Sequence, residues 1–233
     1  MTLDRVTVLA GIPDELGAFG ALVASLSQDG LVIPSRCVGW TVADIAGHVI
    51  GTVVDITEGR MEGLGTAEVN ERQARERAGR TAQELSVELT GAGLVLSALL
   101  ASLPENAWEE PSPSNPDYSL GFAVEAIWYD AYLHGDDIRD ALELPSTRGA
   151  GLRCAVHHVA GYLEHQAWGA ATIALDGIER IDIGGGGAPI TGDPLGFVLA
   201  ATGREDPSDL GLESNLNVYA DERGASKRAP SNP

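Results

Sequence analysis

The chain has 233 residues, 44% of them apolar, which is ample for an ordinary buried core. Its 34 acidic against 15 basic residues give a formal charge of −19, which repels nucleic-acid phosphates and anionic membrane surfaces and excludes both as partners. Two cysteines, Cys37 and Cys154, provide no disulfide framework and point to a reducing, cytoplasmic setting.

The opening "MTLDRVTVLAGIP" lacks a basic n-region and its apolar run is cut by Gly11 and Pro13, so it does not read as a signal peptide. No stretch reads as the roughly 20 apolar residues that a membrane span needs. A first helix is expected over 13–28, with Pro13 in the first turn and Gly30 as the stop signal. Thr41 and Asp44 stand at capping-box spacing before an apolar stripe of Val42, Ile45, Val49 and Val53, which predicts a second helix over 42–62.

The charged "AEVNERQARERAGR" fits a short exposed helix or a crossover connection. From Thr81 the cap-then-apolar pattern recurs and predicts a third helix that stops before Pro104. "ENAWEEPSPSNPDYS" holds three prolines and reads as a loop on polyproline-like backbone. A fourth helix is expected over 119–143, and four helices with one long connection make a four-helix bundle.

The last third changes character. "GLRCAVHHVAGYLEHQAWGAATIAL" reads as one more helix, "IERIDI" alternates with period two, and the glycines at 184–187 follow it as a hairpin turn would. "DPLGFVLAATGR" reads as a short helix and "SNLNVYA" as a closing strand. The fold class is therefore mostly α: a bundle over 1–148, a small α+β segment over 149–225 packed on it, and a disordered tail over 226–233.

Asp130 and His134 in "YDAYLHGDDIRDAL" share one face of the fourth helix, which fits either a solvated acidic face or half of a metal site. His48 adjoins the buried stripe of the second helix. Bundle helices pack roughly 8 to 10 Å apart, so the three side chains can converge on one ion. Two histidines and a carboxylate form a known catalytic zinc set, with a fourth position open.

The other candidates read as structural. Gly184–Gly187 lacks the GK[ST] of a phosphate loop. His157, His158 and His165 have no carboxylate at matching spacing and read as packing or surface histidines. Cys37 is expected to be buried beside Trp40, and Trp128, Tyr129 and Tyr132 to serve as core and pocket wall.

"CVGWTVADIAGHVIG" resembles the CxGWTVxDxxxH stretch of the mycothiol-dependent maleylpyruvate isomerase family, a branch of the DinB-like metal-binding bundles. "DAYLHGDDIRDALELP" is similar to that family's carboxylate-xxx-His-xx-Asp-Ile-Arg-xx-Leu stretch, and "ITGDPLGFVLAATGRED" to its C-terminal segment. The resemblance implies a DinB-like four-helix bundle holding a divalent ion on His48, Asp130 and His134, zinc foremost, with nickel or iron also suited. Asp130 stands where family members often carry Glu, and its shorter side chain requires a closer helix or an intervening water. Asp137 and Asp44 are candidates to orient the imidazoles from behind. The implied activity is a metal-activated, mycothiol-using isomerase or S-transferase acting on a small electrophile, with no protein nucleophile or other catalytic residue beyond the metal site. The chain would be a monomer or homodimer. The alternative is a metal-binding or small-ligand-binding module without turnover.

Overall fold

The computed structural model describes residues 3–210 and 216–219. Helix starts follow the side-chain caps. Asp4 opens α1 (Arg5–Ala24), Ser27 opens the single turn α2 (Gln28–Leu31), and Thr41 opens α3 (Val42–Thr57). Thr66 opens α4 (Ala67–Glu76), Thr81 opens α5 (Ala82–Ser102), and Ser119 opens α6 (Leu120–Ala141). Each cap oxygen accepts a backbone N–H that the first helical turn leaves unpaired. At α3 and α5 the exchange is reciprocal, Thr41 with Asp44 and Thr81 with Glu84.

The first helix departs from expectation. It begins at Arg5, so Pro13 lies in its interior rather than in its first turn. An interior proline costs about 3 kcal/mol, but Val8, Ile12, Leu16, Phe19 and Val23 are buried on both sides of it along one stripe. At about 1.5 to 3 kcal/mol per buried large side chain, the stripe outweighs the proline. The second helix ends at Thr57 rather than 62, and Gly30 lies within α2 instead of stopping α1. The three-proline segment is only partly a loop. A 3-10 turn occupies Glu105–Glu109, and Pro111 pairs with Ser119 as an isolated bridge.

α1, α3, α5 and α6 form the four-helix bundle, each packing on two neighbours in the cyclic order α1, α5, α3, α6. α4 lies along α3. α3 and α6 are thus adjacent, as a shared site between them requires. By length and composition alone α1 and α5 are each apolar enough to cross a membrane, which corrects the reading that no stretch qualifies. In this fold the two helices pack on one another within the bundle.

The chain divides into two compact units at residue 158, inside α7 (Ala150–His165), rather than at 148/149. Past that point α7 ends at His165, and "ATIAL", expected to be helical, forms β1 (Ala171–Leu175). Its Thr172 and Ile173 suit a strand, and four of its five residues are buried. β2 (Ile181–Ile183) pairs antiparallel with β1, and β3 (Ala188–Gly192) pairs parallel with it, in the order β2-β1-β3. The glycine run is therefore a crossover around the start of β1 and not a hairpin turn. Space dictates the residue type there: a Cβ on Gly187 would sit 2.3 Å from the Ala170 carbonyl oxygen, and one on Gly184 3.0 Å from that of Gly169.

α8 (Pro194–Ala201) follows on an Asp193 cap, then a 3-10 turn at Pro207–Leu210. Ile173, Ile183, Phe197 and Val198 form this unit's core. "SNLNVYA" forms no strand over residues 216–219, where the Val218 N–H instead donates to the Ala201 carbonyl. The rest of that stretch and the tail over 226–233 lie outside the described residues.

Candidate metal centre

His48 stands in the middle of α3, and Asp130 and His134 one turn apart on the facing side of α6. His48 Nε2 lies 3.5 Å from Asp130 Oδ2, and His134 Nε2 lies 3.5 Å from Asp130 Oδ1. The Trp40 ring meets the His48 ring edge-on at 5.3 Å and stacks over His134 at 6.5 Å. Side-chain exposure rises from 6% at His48 through 13% at His134 to 28% at Asp130, so the cluster opens to solvent at the carboxylate.

The far nitrogen of each imidazole is already engaged. His48 Nδ1 is 2.9 Å from Gln73 Oε1, and His134 Nδ1 is 2.8 Å from Asp137 Oδ2. Both partners are oxygen acceptors, so in each neutral imidazole Nδ1 carries the proton and Nε2 turns its lone pair toward Asp130. The two imidazole nitrogens and the Asp130 carboxylate then form a site that a cation completes, a proton on His48 or a metal ion. Burial opposes a proton on His48, but the Asp130 carboxylate and Gln73 outweigh it and hold the imidazole above its ordinary pKa of 6.5.

The donor set fits a divalent ion. Ligand bonds of about 2.0 to 2.2 Å at tetrahedral angles place neighbouring ligand atoms about 3.3 to 3.6 Å apart. The two nitrogen–oxygen separations, each to a different Asp130 oxygen, fall in that interval, and one donor atom from each residue lies within 4.8 Å of the others. The aspartate carboxylate therefore reaches both imidazoles despite its short side chain.

Asp137 stands behind His134, and its other oxygen accepts from Arg36 Nε at 2.6 Å. Arg36 also pairs with Asp136 at 2.7 Å. Asp44 does not orient His48, because its carboxylate accepts from the Thr41 N–H and hydroxyl in the capping box. Gln73 takes that place. It sits in the charged stretch whose role the sequence left open, one of two uncharged polar side chains there with Asn70.

Cys37 is half-buried, and its thiol donates to Asp137 Oδ2 at 3.2 Å, which corrects the expectation of burial beside Trp40. Cys37, His134 and Asp137 also lie within 4.8 Å of one another. The guanidinium on Asp137 opposes a second cation there, so this group is the support behind His134. The other aromatic candidates have separate partners. Trp128 donates to Glu15, Tyr129 tilts against His158 at 4.7 Å, and the Tyr132 hydroxyl donates to the Thr147 carbonyl. His158 is fully buried and bonds Glu125 at 3.0 Å.

Residues 12–139 match the family model described as the mycothiol maleylpyruvate isomerase N-terminal domain. The chain belongs to the mycothiol maleylpyruvate isomerase family. All three proposed ligands of this family member, and Gln73 and Asp137 behind them, lie within the matched span. Among solved structures, the fold is similar to the crystal structure of the mycothiol-dependent maleylpyruvate isomerase, with a TM-score of 0.60 at 15% identity over 88% of this chain and 92% of that one. It is also similar to a variant of that enzyme with one histidine replaced by alanine, with a TM-score of 0.56 at 16% identity over the same shares. No curated protein sequence matches the chain.

Proposed function

We propose that this family member is a metal-dependent enzyme that uses mycothiol in the cytoplasm, as an isomerase of the maleylpyruvate type or as a thiol S-transferase. The observation that carries this reading is the convergence of two imidazole Nε2 atoms on the Asp130 carboxylate, each at 3.5 Å, with both Nδ1 atoms committed elsewhere. His48, Asp130 and His134 would hold a divalent ion, zinc foremost, whose charge would keep the sulfur of a bound thiol deprotonated at neutral pH.

The chain's own residues have distinct tasks. Gln73 and Asp137 hold the imidazoles in the ligating tautomer. Trp40 packs against both rings. Asp130, the most exposed of the three, marks the side where substrate enters. The reaction needs no protein nucleophile. The mycothiol thiolate adds to the conjugated double bond of the electrophile, and the resulting single bond rotates. Elimination of the same thiolate then restores a double bond of opposite geometry. In the transferase variant the adduct takes up a proton and leaves with the thiol attached.

The test is elemental analysis of the purified protein, followed by incubation of the metal-loaded form with mycothiol and maleylpyruvate. Conversion without net loss of thiol is the isomerase result, and equimolar loss of both is the transferase result. Stoichiometric metal with neither reaction would make the chain a binding module. Absence of metal binding would end the reading altogether.

A further inference from the structure

α4 rests against α3 where two glycines remove the side chains that would hold it off. A Cβ on Gly51 would sit 2.4 Å from the Cβ of Gln73, and one on Gly47 3.1 Å from the Cα of Ala74. The contact carries Gln73 to full burial beside His48. Arg77 fastens the end of α4, donating to the Gln73 carbonyl at 3.1 Å and pairing with Glu88 of α5 at 2.9 Å.

The Gln73 carboxamide has an acceptor end and a donor end, and its surroundings dictate which points where. Its Nε2 donates to Asp55 Oδ2 at 2.6 Å. Asp55 is itself fully buried and is held as an anion by Arg72 at 2.6 Å and by Arg60. Two acceptors cannot face each other there, so the amide cannot flip. Its Oε1 is thereby turned toward His48 Nδ1 at 2.9 Å, with the Thr52 hydroxyl donating to the same oxygen at 3.3 Å.

We propose that Gln73, locked by Asp55, is a positioning residue that fixes His48 as the Nδ1–H tautomer and so presents only its Nε2 lone pair to Asp130. The proposal rests on the metal reading above for its consequence in binding, but not for the tautomer itself. A buried carboxylate acts here through a neutral amide. It transmits orientation to the imidazole without placing a charge directly behind it.

The experiment is nitrogen NMR of histidine-labelled, metal-free full-length protein, at a pH alkaline enough for neutral imidazoles, together with zinc titration and circular dichroism. In the wild type, His48 shows a protonated Nδ1 and a bare Nε2. Gln73→Met keeps the side-chain length without donor or acceptor. It should move the His48 signals toward the other tautomer and weaken zinc binding about 10- to 100-fold, with an unchanged helical spectrum.

Should Gln73→Met not fold, Asp55→Asn carries the test. An asparagine can offer oxygen or NH2 to the amide, so His48 should show both tautomers and a several-fold loss of zinc affinity. A bare Nδ1 in the wild type, or an unchanged tautomer in Gln73→Met or Asp55→Asn, overturns the proposal. So does an unchanged zinc affinity in either variant. If the wild type binds no zinc yet the tautomer follows Gln73, the positioning role stands and the metal reading falls.

Discussion

His48 and His134 turn the same ring atom to the same carboxylate, yet they are held from behind in different ways. Behind His134 is Asp137, three residues further along the same helix, with its second oxygen on Arg36. Behind His48 is Gln73, from another helix, with Asp55 and two arginines behind it in turn. The helical period alone brings His134 and Asp137 together once α6 forms. The partner of His48 arrives only when α4 docks on α3. One imidazole is backed by an ion pair and the other by a neutral amide, so equivalent ligands should respond differently to damage behind them.

Removing a ligand itself is the largest break in that comparison. His134→Ala should abolish stoichiometric metal in elemental analysis, a greater loss than the about 10- to 100-fold expected for an orienting partner. Circular dichroism should show an intact bundle, because the fold draws its stability from apolar burial at roughly 25 cal/mol per Å². Asp130→Asn should cost about as much affinity as His134→Ala, given that its carboxylate reaches both imidazoles at 3.5 Å. Full metal occupancy in His134→Ala would mean that the α6 motif is only an acidic helix face.

Asp137→Asn separates the two supports. It should weaken metal binding about 10- to 100-fold, as Gln73→Met does. It should also cost about 3 kcal/mol of stability, because a fully buried carboxylate leaves the Arg36 guanidinium. Urea unfolding of the two variants side by side checks the difference, and equal stabilities would erase the distinction drawn here.

A pH experiment sharpens it further. Burial opposes the charge on Asp55, but Gln73, Arg72 and Arg60 outweigh it and hold the carboxyl below its ordinary 3.8. A carboxylate with a depressed folded pKa contributes stability that is present above about 3.8 and lost as the pH falls through the folded value. Melting temperatures recorded downward through that range should fall less steeply in Asp55→Asn than in the wild type. Identical slopes would show that Asp55 is not held as an anion.

The smallest effect belongs to Asp44→Ala. It should cost about 1 kcal/mol through the lost capping box and leave zinc affinity unchanged, since Asp44 bonds Thr41 and not His48. A loss of metal in this variant would return Asp44 to the site.

Much of the bundle was legible because helix starts are local chemistry. Thr41 and Thr81 each precede the helix that their patterns announce. The start of α1 was misplaced because Pro13 carries a strong local signal that the long-range burial of Val8 and Ile12 overrides. Residues 171–175 read as helix for a related reason. A short apolar run has no period of its own, and pairing with β2 and β3 makes it a strand.

The sequence by itself nominated the three candidate ligands and Asp137 as a candidate support, since period and residue type place Asp130, His134 and Asp137 on one helix and His48 beside an apolar stripe. Only the tertiary structure decided the 3.5 Å convergence on Asp130, the identity of Gln73 as the partner of His48, and the release of Asp44 from that role. The physical reason is the range of each interaction. A helical turn repeats within four residues and can be counted along the chain. The seat of Gln73 depends on close approach across Gly47 and Gly51, which has no signature until two helices meet.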